Sequence, residues 1–186
     1  MTMFKLKILV CFIILILFGS CSKDVSKETL IKEKSLELQV EEAYKEGMEA
    51  LNDGDVLFAA KKFNEAEILF PQADSAPQSA LMAAYSYYTQ DYYSDAIAEY
   101  KRFLKVYPAH KDLGYVYYML AICYYEQIVD EKKDLQSIIN AKENFYIILE
   151  NFPESEYAID AEFCFTYCSI YGSENEPLLS KTSPFL

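Results

Sequence analysis

An all-α fold, a superhelix of antiparallel helical hairpins about three and a half repeats long, is predicted by three observations. A thirteen-residue phrase occurs three times and closes each time on an aromatic residue and a proline: AAKKFNEAEILFP ending at Pro71, AIAEYKRFLKVYP at Pro108 and AKENFYIILENFP at Pro153. Composition agrees, because 52% hydrophobic residues exclude wholesale disorder and only five Gly and six Pro argue against a sandwich or barrel. Finally, each phrase carries apolar residues at helical spacing. Ala59, Ala96 and Ala141 open the copies, Phe63, Tyr100 and Phe145 follow four residues on, and Ala66, Phe103 and Ile148 three further. Such offsets mark one face of a helix. The closing proline has no N–H to donate and pushes the preceding Phe70, Tyr107 or Phe152 out of helical conformation. Each phrase therefore reads as the second helix, helix B, of a hairpin.

The N-terminus reads as an address. Lys5 and Lys7 precede an apolar run from Ile8 to Phe18, eleven residues long. That is too short to span a bilayer core of roughly 30 Å, so residues 1–20 read as a secretory signal. Gly19 and Ser20 lead into Cys21, an arrangement that resembles a bacterial lipobox, with Phe18 where Leu is usual. The resemblance implies that Cys21 becomes the acylated first residue of the mature chain. The alternative is a plain signal peptide with an incidental cysteine. Several lipid chains on one Cys would anchor the protein stably, at about 0.8 kcal/mol per buried CH₂. Ser22 follows, not the Asp that would suggest inner-membrane retention, so the periplasmic face of the outer membrane is expected. Residues 21–38 are polar, Lys- and Glu-rich and free of aromatics, and read as a flexible tether.

The repeat domain is expected over 39–171, as units at about 39–71, 76–108 and 112–153 and an incomplete unit at 155–171. Unit one pairs EEAYKEGMEALNDGD with VLFAAKKFNEAEILF, turning at Asn52 to Asp55. Gly47, Ala59, Phe63, Ala66 and Pro71 fall at tetratricopeptide consensus positions 8, 20, 24, 27 and 32. Unit two matches with Ala84, Tyr87, Ala96, Tyr100, Phe103 and Pro108. The small residue at position 8 lets helix A approach helix B closely. Pro71 to Pro108 is 37 residues and Pro108 to Pro153 is 45, so unit three carries eight extra residues. They are assigned to a polar loop around VDEKKDLQ. After Pro153 comes a fourth helix A, ending on Phe163, Cys164, Phe165, Tyr167 and Cys168 with no helix B to cover it. Residues 172–186, with two prolines and no helical period, are expected to be a disordered tail.

Chemistry has little foothold. The net charge is −12, or −14 without the first twenty residues and their two lysines. With no basic patch to neutralise phosphates, nucleic acid is not an expected partner. His110 is the sole histidine, and beside it Asp112 has no nucleophile elbow or Gly-rich loop to work with. The carboxylates spread over outer helix faces. No enzyme activity, metal or cofactor is expected, beyond covalent lipid on Cys21. Of five cysteines, Cys11 leaves with the signal and Cys21 is the lipid site. Cys123, Cys164 and Cys168 remain, an odd number for a disulfide framework and one ligand short of a zinc site. They read as small thiols at helix contacts, with a Cys123 to Cys164 bridge as the alternative.

From about residue 40 to residue 163 the chain resembles the BamD family, the lipoprotein subunits of the β-barrel assembly machine of Gram-negative outer membranes. The residues that carry the resemblance are EGMEALNDGD, SALMAAYSYYTQDYYSDAIAEYKRFLKVYPAHKDLGYVYYMLAICYYEQI with its following acidic insert, and NFPESEYAIDA. YYEQI is the most specific part, because generic repeats have no reason to share it. The resemblance implies five repeats, whereas this chain stops about halfway through the fourth, and a C-terminally truncated member is expected. It implies that C-terminal repeats contact a BamA-like barrel subunit and other assembly lipoproteins. It also implies that N-terminal repeats receive the C-terminal segments of unfolded outer-membrane proteins.

In such stacks the concave surface is lined by helix A at positions 2, 5, 9 and 12. Here those positions supply Tyr44, Met48 and Leu51 in unit one, Leu81, Tyr85 and Tyr88 in unit two, and Tyr115, Tyr118, Ile122 and Tyr125 in unit three. Tyrosine offers large apolar area at low entropic cost and keeps a hydroxyl for backbone groups, which suits an extended aromatic-rich peptide. The alternative is that these tyrosines only pack between helices. The expected function is a non-enzymatic, lipid-anchored periplasmic scaffold for β-barrel insertion. A repeat scaffold for another envelope process, such as cell division or secretin assembly, is the alternative.

Overall fold

The computed structural model describes residues 35–128 and 135–179. The signal segment 1–20, Cys21, nearly all of the tether and the end of the expected tail lie outside the described residues. What is described is helical: α1 Leu36–Asn52, α2 Val56–Leu69, α3 Ala76–Tyr88, α4 Tyr93–Val106, α5 Leu113–Glu126, α6 Leu135–Asn151 and α7 Ala158–Leu179. Close backbone contacts run between helices adjacent in sequence, α1 with α2 and so on to α6 with α7. This is the nearest-neighbour stacking of a helical repeat.

Local chemistry sets the ends of the helices. Ser35 caps α1, its Oγ accepting from the Leu38 N–H at 3.4 Å. Helix therefore begins at Leu36, and the tether expected to reach residue 38 stops short of that. Between α1 and α2 the turn is made by Gly54, whose φ of +83° is open to a residue without Cβ, and by Asp55, which accepts from the Phe58 N–H at 3.1 Å. Phe70 and Tyr107 end α2 and α4 outside the helical region, φ −145° and −121°, as the prolines after them favour.

Two expectations need correction. The insert in unit three is not all loop: α6 starts at Leu135 and runs 17 residues against 14 for α2 and α4, so the Leu135–Gln136 end of VDEKKDLQ belongs to helix B. Residues 129–134 lie outside the described residues. The tail expected from residue 172 is helical as far as Leu179. A single Gly172 costs a helix about 1 kcal/mol and does not forbid it.

Packing follows the small-residue register. Ala59, Phe63, Ala66, Ala96, Tyr100, Phe103, Ala141, Phe145 and Ile148 are all fully buried. Gly47 is where α1 meets α2, and a Cβ there would lie 2.9 Å from two ring carbons of Phe63. Ala84 and Ala121, the counterparts in the next units, are fully buried as well. Two apolar cores result, one around Ala50, Ala59, Ala60, Phe63 and Ala83, the other extending from Ala80 to Cys168, with Tyr87 packed against both. Buried Ser79 and Ser86 donate to the carbonyls of Ser75 and Met82, so neither hydroxyl is left unpaired.

At α7 the uncovered aromatic end foreseen from the sequence is only partly so. Cys168 is buried, Tyr167 meets Tyr125 edge-on at 5.6 Å and Phe165 lies 6.1 Å from Tyr146, all packed back on the stack. Phe163 is the exposed one of the five, with Ile159 and Ile170 alongside it.

Candidate functional site

The helices α1, α3 and α5 bring two clefts together on one face. The first, about 370 Å³, lies between α1 and the start of α3. Its walls are Glu37, Val40, Glu41 and Tyr44 on one side, Phe70 and Ala73 at the base, and Ser75, Gln78 and Ser79 on the other. The second, about 350 Å³, lies between α3 and α5, walled by Gln78, Leu81, Met82 and Tyr85, then Asp112 and Tyr115, and closed by Tyr157 ahead of α7. Gln78 belongs to both. The two clefts therefore adjoin at Gln78.

Helical register explains the arrangement. Gln78, Leu81, Met82 and Tyr85 lie three and four residues apart, so one face of α3 presents all four. Leu81 is buried and forms the floor, while Tyr85, 38% exposed, stands at the lip. Tyr157 is fixed by two rings of α5, stacked on Tyr118 at 5.0 Å and 27° and tilted against Tyr115 at 5.8 Å. Beneath Tyr115 the Tyr100 hydroxyl is buried, with the Tyr115 hydroxyl beside it.

Of the ten residues read as a groove, Tyr44, Leu81, Tyr85 and Tyr115 line the clefts, and Tyr118 supports one through Tyr157. Met48, Leu51, Tyr88, Ile122 and Tyr125 line neither. Met48 and Leu51 pack on the first core and Ile122 on the second. Tyr88 sits between Tyr85 and Tyr93, and Tyr125 meets Phe145 and Tyr167 edge-on. The two clefts lie toward the N-terminal ends of α1, α3 and α5. Gln78 and Glu41 occupy the expected register, three residues before Leu81 and Tyr44, but a search for apolar side chains passes over them.

Electrostatics divide the groove from its surroundings. Glu37, Glu41 and Asp112 are its charged lining, and no lysine or arginine lines either cleft among the described residues. Burial raises the pKa of Tyr115, and the Glu156 carboxylate together with burial pushes Tyr157 up to about 12. Both hydroxyls are therefore neutral donors at any physiological pH. His110 accepts from the Asp112 N–H at 3.3 Å, sits edge-on to Phe103 at 5.5 Å, and so holds the turn into α5. The thiols of Cys123, Cys164 and Cys168 are free. Among the described residues no group of three or more His, Cys, Asp or Glu is placed to hold a metal, and no helix is long and apolar enough to cross a membrane.

Hairpins stacked each against the next define the class: a tetratricopeptide-like helical-repeat protein. A family model described as YfiO, outer membrane lipoprotein, matches residues 36–169, and the chain belongs to that family. It is similar to the outer membrane protein assembly factor BamD of Caulobacter vibrioides, 34% identical over 77% of this chain and 46% of that one. The BamD of Rickettsia prowazekii is 32% identical over 63% of this chain and 47% of its own, and that of Neisseria gonorrhoeae 29% over 66% and 49%. The chain spans about half the length of the curated relatives it matches.

Proposed function

We propose that this chain is a non-enzymatic, lipid-anchored scaffold on the periplasmic face of the outer membrane, where it serves β-barrel assembly. Membership of an outer membrane lipoprotein family supports the location, and the name of its relatives supports the task. Cys21 would carry the lipid. The observation that carries the reading is the groove: two apolar clefts, tyrosine-walled and large enough for side chains, along the inner helices of the stack. Such a groove suits an extended segment of an unfolded client, since ring faces take apolar side chains and hydroxyls meet main-chain groups. A BamA-like barrel subunit and companion lipoproteins are the partners of the whole assembly.

The test is affinity capture from solubilised outer membrane with the chain carrying its native lipid. Recovery of a barrel protein with periplasmic domains is the expected result. Recovery of unfolded barrel proteins without it would limit the function to client binding, and a different envelope complex would overturn the reading. Mass spectrometry of the same material should give Cys21 as the modified first residue, and Cys21→Ser should leave the chain outside the membrane fraction.

A further inference from the structure

We infer that α7 is an interface between two copies of this chain, which pair antiparallel along the exposed stripe Ile159, Phe163, Thr166 and Ile170. The inference concerns the end of the stack and is independent of what the clefts bind.

Helix α7 has two unlike faces. Ala161 and Cys168 are buried, and Cys164 and Phe165 pack on the second core. On the other side Ile159 is 80% exposed, Phe163 73% and Ile170 55%, with Thr166 exposed between them. Their spacings are four, three and four, so the four residues form one continuous stripe over about three turns. Thr166 lies 45 residues after Ala121, the interval that separates Pro108 from Pro153, and so holds the place of Gly47, Ala84 and Ala121 in the earlier units. Those three are buried, and at Gly47 the residue that covers the gap is Phe63, through its ring.

A second copy supplies the same cover because the stripe reads alike in both directions. Its midpoint falls between Cys164 and Phe165, so a copy running antiparallel sets Ile159 against Ile170 and Phe163 against Thr166. A ring then meets a small side chain at two symmetric places, as Phe63 meets Gly47 within the chain. Charge selects the direction. Asp160 and Glu162 fall in the first half of the stripe, whereas residues 163–170 contain no Asp, Glu, Lys or Arg. Antiparallel pairing lays each acidic pair beside the uncharged half of the other copy, and parallel pairing would crowd four carboxylates together.

Sedimentation velocity of the full lipidated chain in excess density-matched detergent tests this. Dimers should form with a dissociation constant on the order of 10 μM, as a small apolar contact allows. Both copies are strongly acidic, so raising salt from about 0.05 to 0.5 M should tighten the dimer about threefold by screening their repulsion. Phe163→Glu should weaken it at least about tenfold with circular dichroism unchanged, whereas Ile68→Glu, at an equally exposed site on α2, should leave it alone. Mixing Ile159→Glu with Ile170→Lys should restore the pairing that neither variant shows by itself. In membranes, a photoreactive phenylalanine analogue at position 163 should give an adduct of two copies. A chain monomeric up to about 200 μM, or a dimer indifferent to Phe163→Glu, would overturn the inference. Adducts at position 163 with a different protein and none between copies would overturn it too, and give the face to that partner. Failure of the mixture to restore pairing would overturn the antiparallel register.

Discussion

Arg102 grips Glu67 through two parallel hydrogen bonds, Nη1 to Oε1 at 2.9 Å and Nη2 to Oε2 at 2.7 Å. The pair ties α4 to α2, the second helices of successive repeats. Arg102 also donates to Glu99 at 2.8 Å and to Asn64 at 3.0 Å, and the Tyr107 hydroxyl donates to Glu67 at 2.8 Å. The Glu67 side chain is only 6% exposed. Its charge is tolerable there because all of these donors converge on one corner of the stack.

Removing the guanidinium should therefore hurt more than removing an ordinary surface charge. Arg102→Ala leaves Glu67 buried without its partner, a loss of about 2–3 kcal/mol, at the low end for buried pairs because Arg102 remains 36% exposed. Arg102→Lys cannot reproduce the fork and should recover less than half of this. Urea unfolding of the single variants and of Arg102→Ala with Glu67→Gln checks it. A loss below about 0.5 kcal/mol would class the pair with surface ion pairs.

Glycine substitutions separate close approach from flexibility. Gly47→Ala places its Cβ 2.9 Å from the Phe63 ring and should destabilise by about 1–3 kcal/mol despite the better helix propensity of Ala. Gly114→Ala in α5 meets Phe152 at an ordinary 3.4 Å and should be neutral or stabilising by up to about 1 kcal/mol. Thermal or urea melts of both variants decide, and equal effects would refute the steric account of Gly47.

Tyr85 stands at the lip of the second cleft, and Tyr92 is similarly exposed but lines neither cleft. Tyr85→Ala should weaken client peptide about tenfold while stability changes by less than about 0.5 kcal/mol. Tyr92→Ala should change neither. Anisotropy titration with a labelled client segment, alongside urea melts, reads both.

Alkali should loosen the fold. Burial raises the pKa of Tyr93, Tyr100 and Tyr107 above the usual 10, and pushes the Cys123 thiol from 9.0 up to about 12. Between these limits the unfolded chain has given up protons that the folded chain still holds, so it binds fewer of them. Stability is then complete below about pH 9 and falls as pH rises toward 12. The urea midpoint should be level from pH 7 to 9 and drop by pH 11. A level midpoint through pH 11 contradicts the burial of these groups.

The same burial ranks the thiols. Cys164 is half-buried, whereas Cys123 and Cys168 are fully buried and pushed up to about 12 and 11. Brief alkylation of the native protein at pH 8, mapped by mass spectrometry, should find Cys164 modified at least about tenfold faster than Cys123.

Much of this fold is legible because repetition makes it so. Ala59, Phe63 and Ala66 recur as Ala96, Tyr100 and Phe103, and a helical face repeated before each proline cannot be mistaken for a strand. Glu67 and Arg102 carry no such signal: they lie 35 residues apart, and nothing periodic distinguishes them from other charges on helix B. The groove was half legible for a related reason. Counting apolar positions finds Leu81, Tyr85 and Tyr115, yet it also gathers Tyr88 and Tyr125, whose rings are taken up by neighbouring aromatics, and it omits Gln78 and Asp112. Tyr157 lay outside the count because the count took in only the first three units. The end of α7 was misplaced because Gly172 was weighed as a break, and one Gly costs too little to be one; Pro177, in the last turn, stands only two residues before the helix ends at Leu179.

Helix α3 gives Ala83 to one core and Ala80, Leu81 and Ala84 to the other, and its Tyr87 touches both. It works as a party wall. When the α1–α2 pair frays from the stack, α3 loses the cover on one side and keeps it on the other, so the array can shed its first hairpin without melting the rest. Heating should then unzip the chain from that end, and the first cleft, half of whose wall is α1, should vanish while the second is still standing.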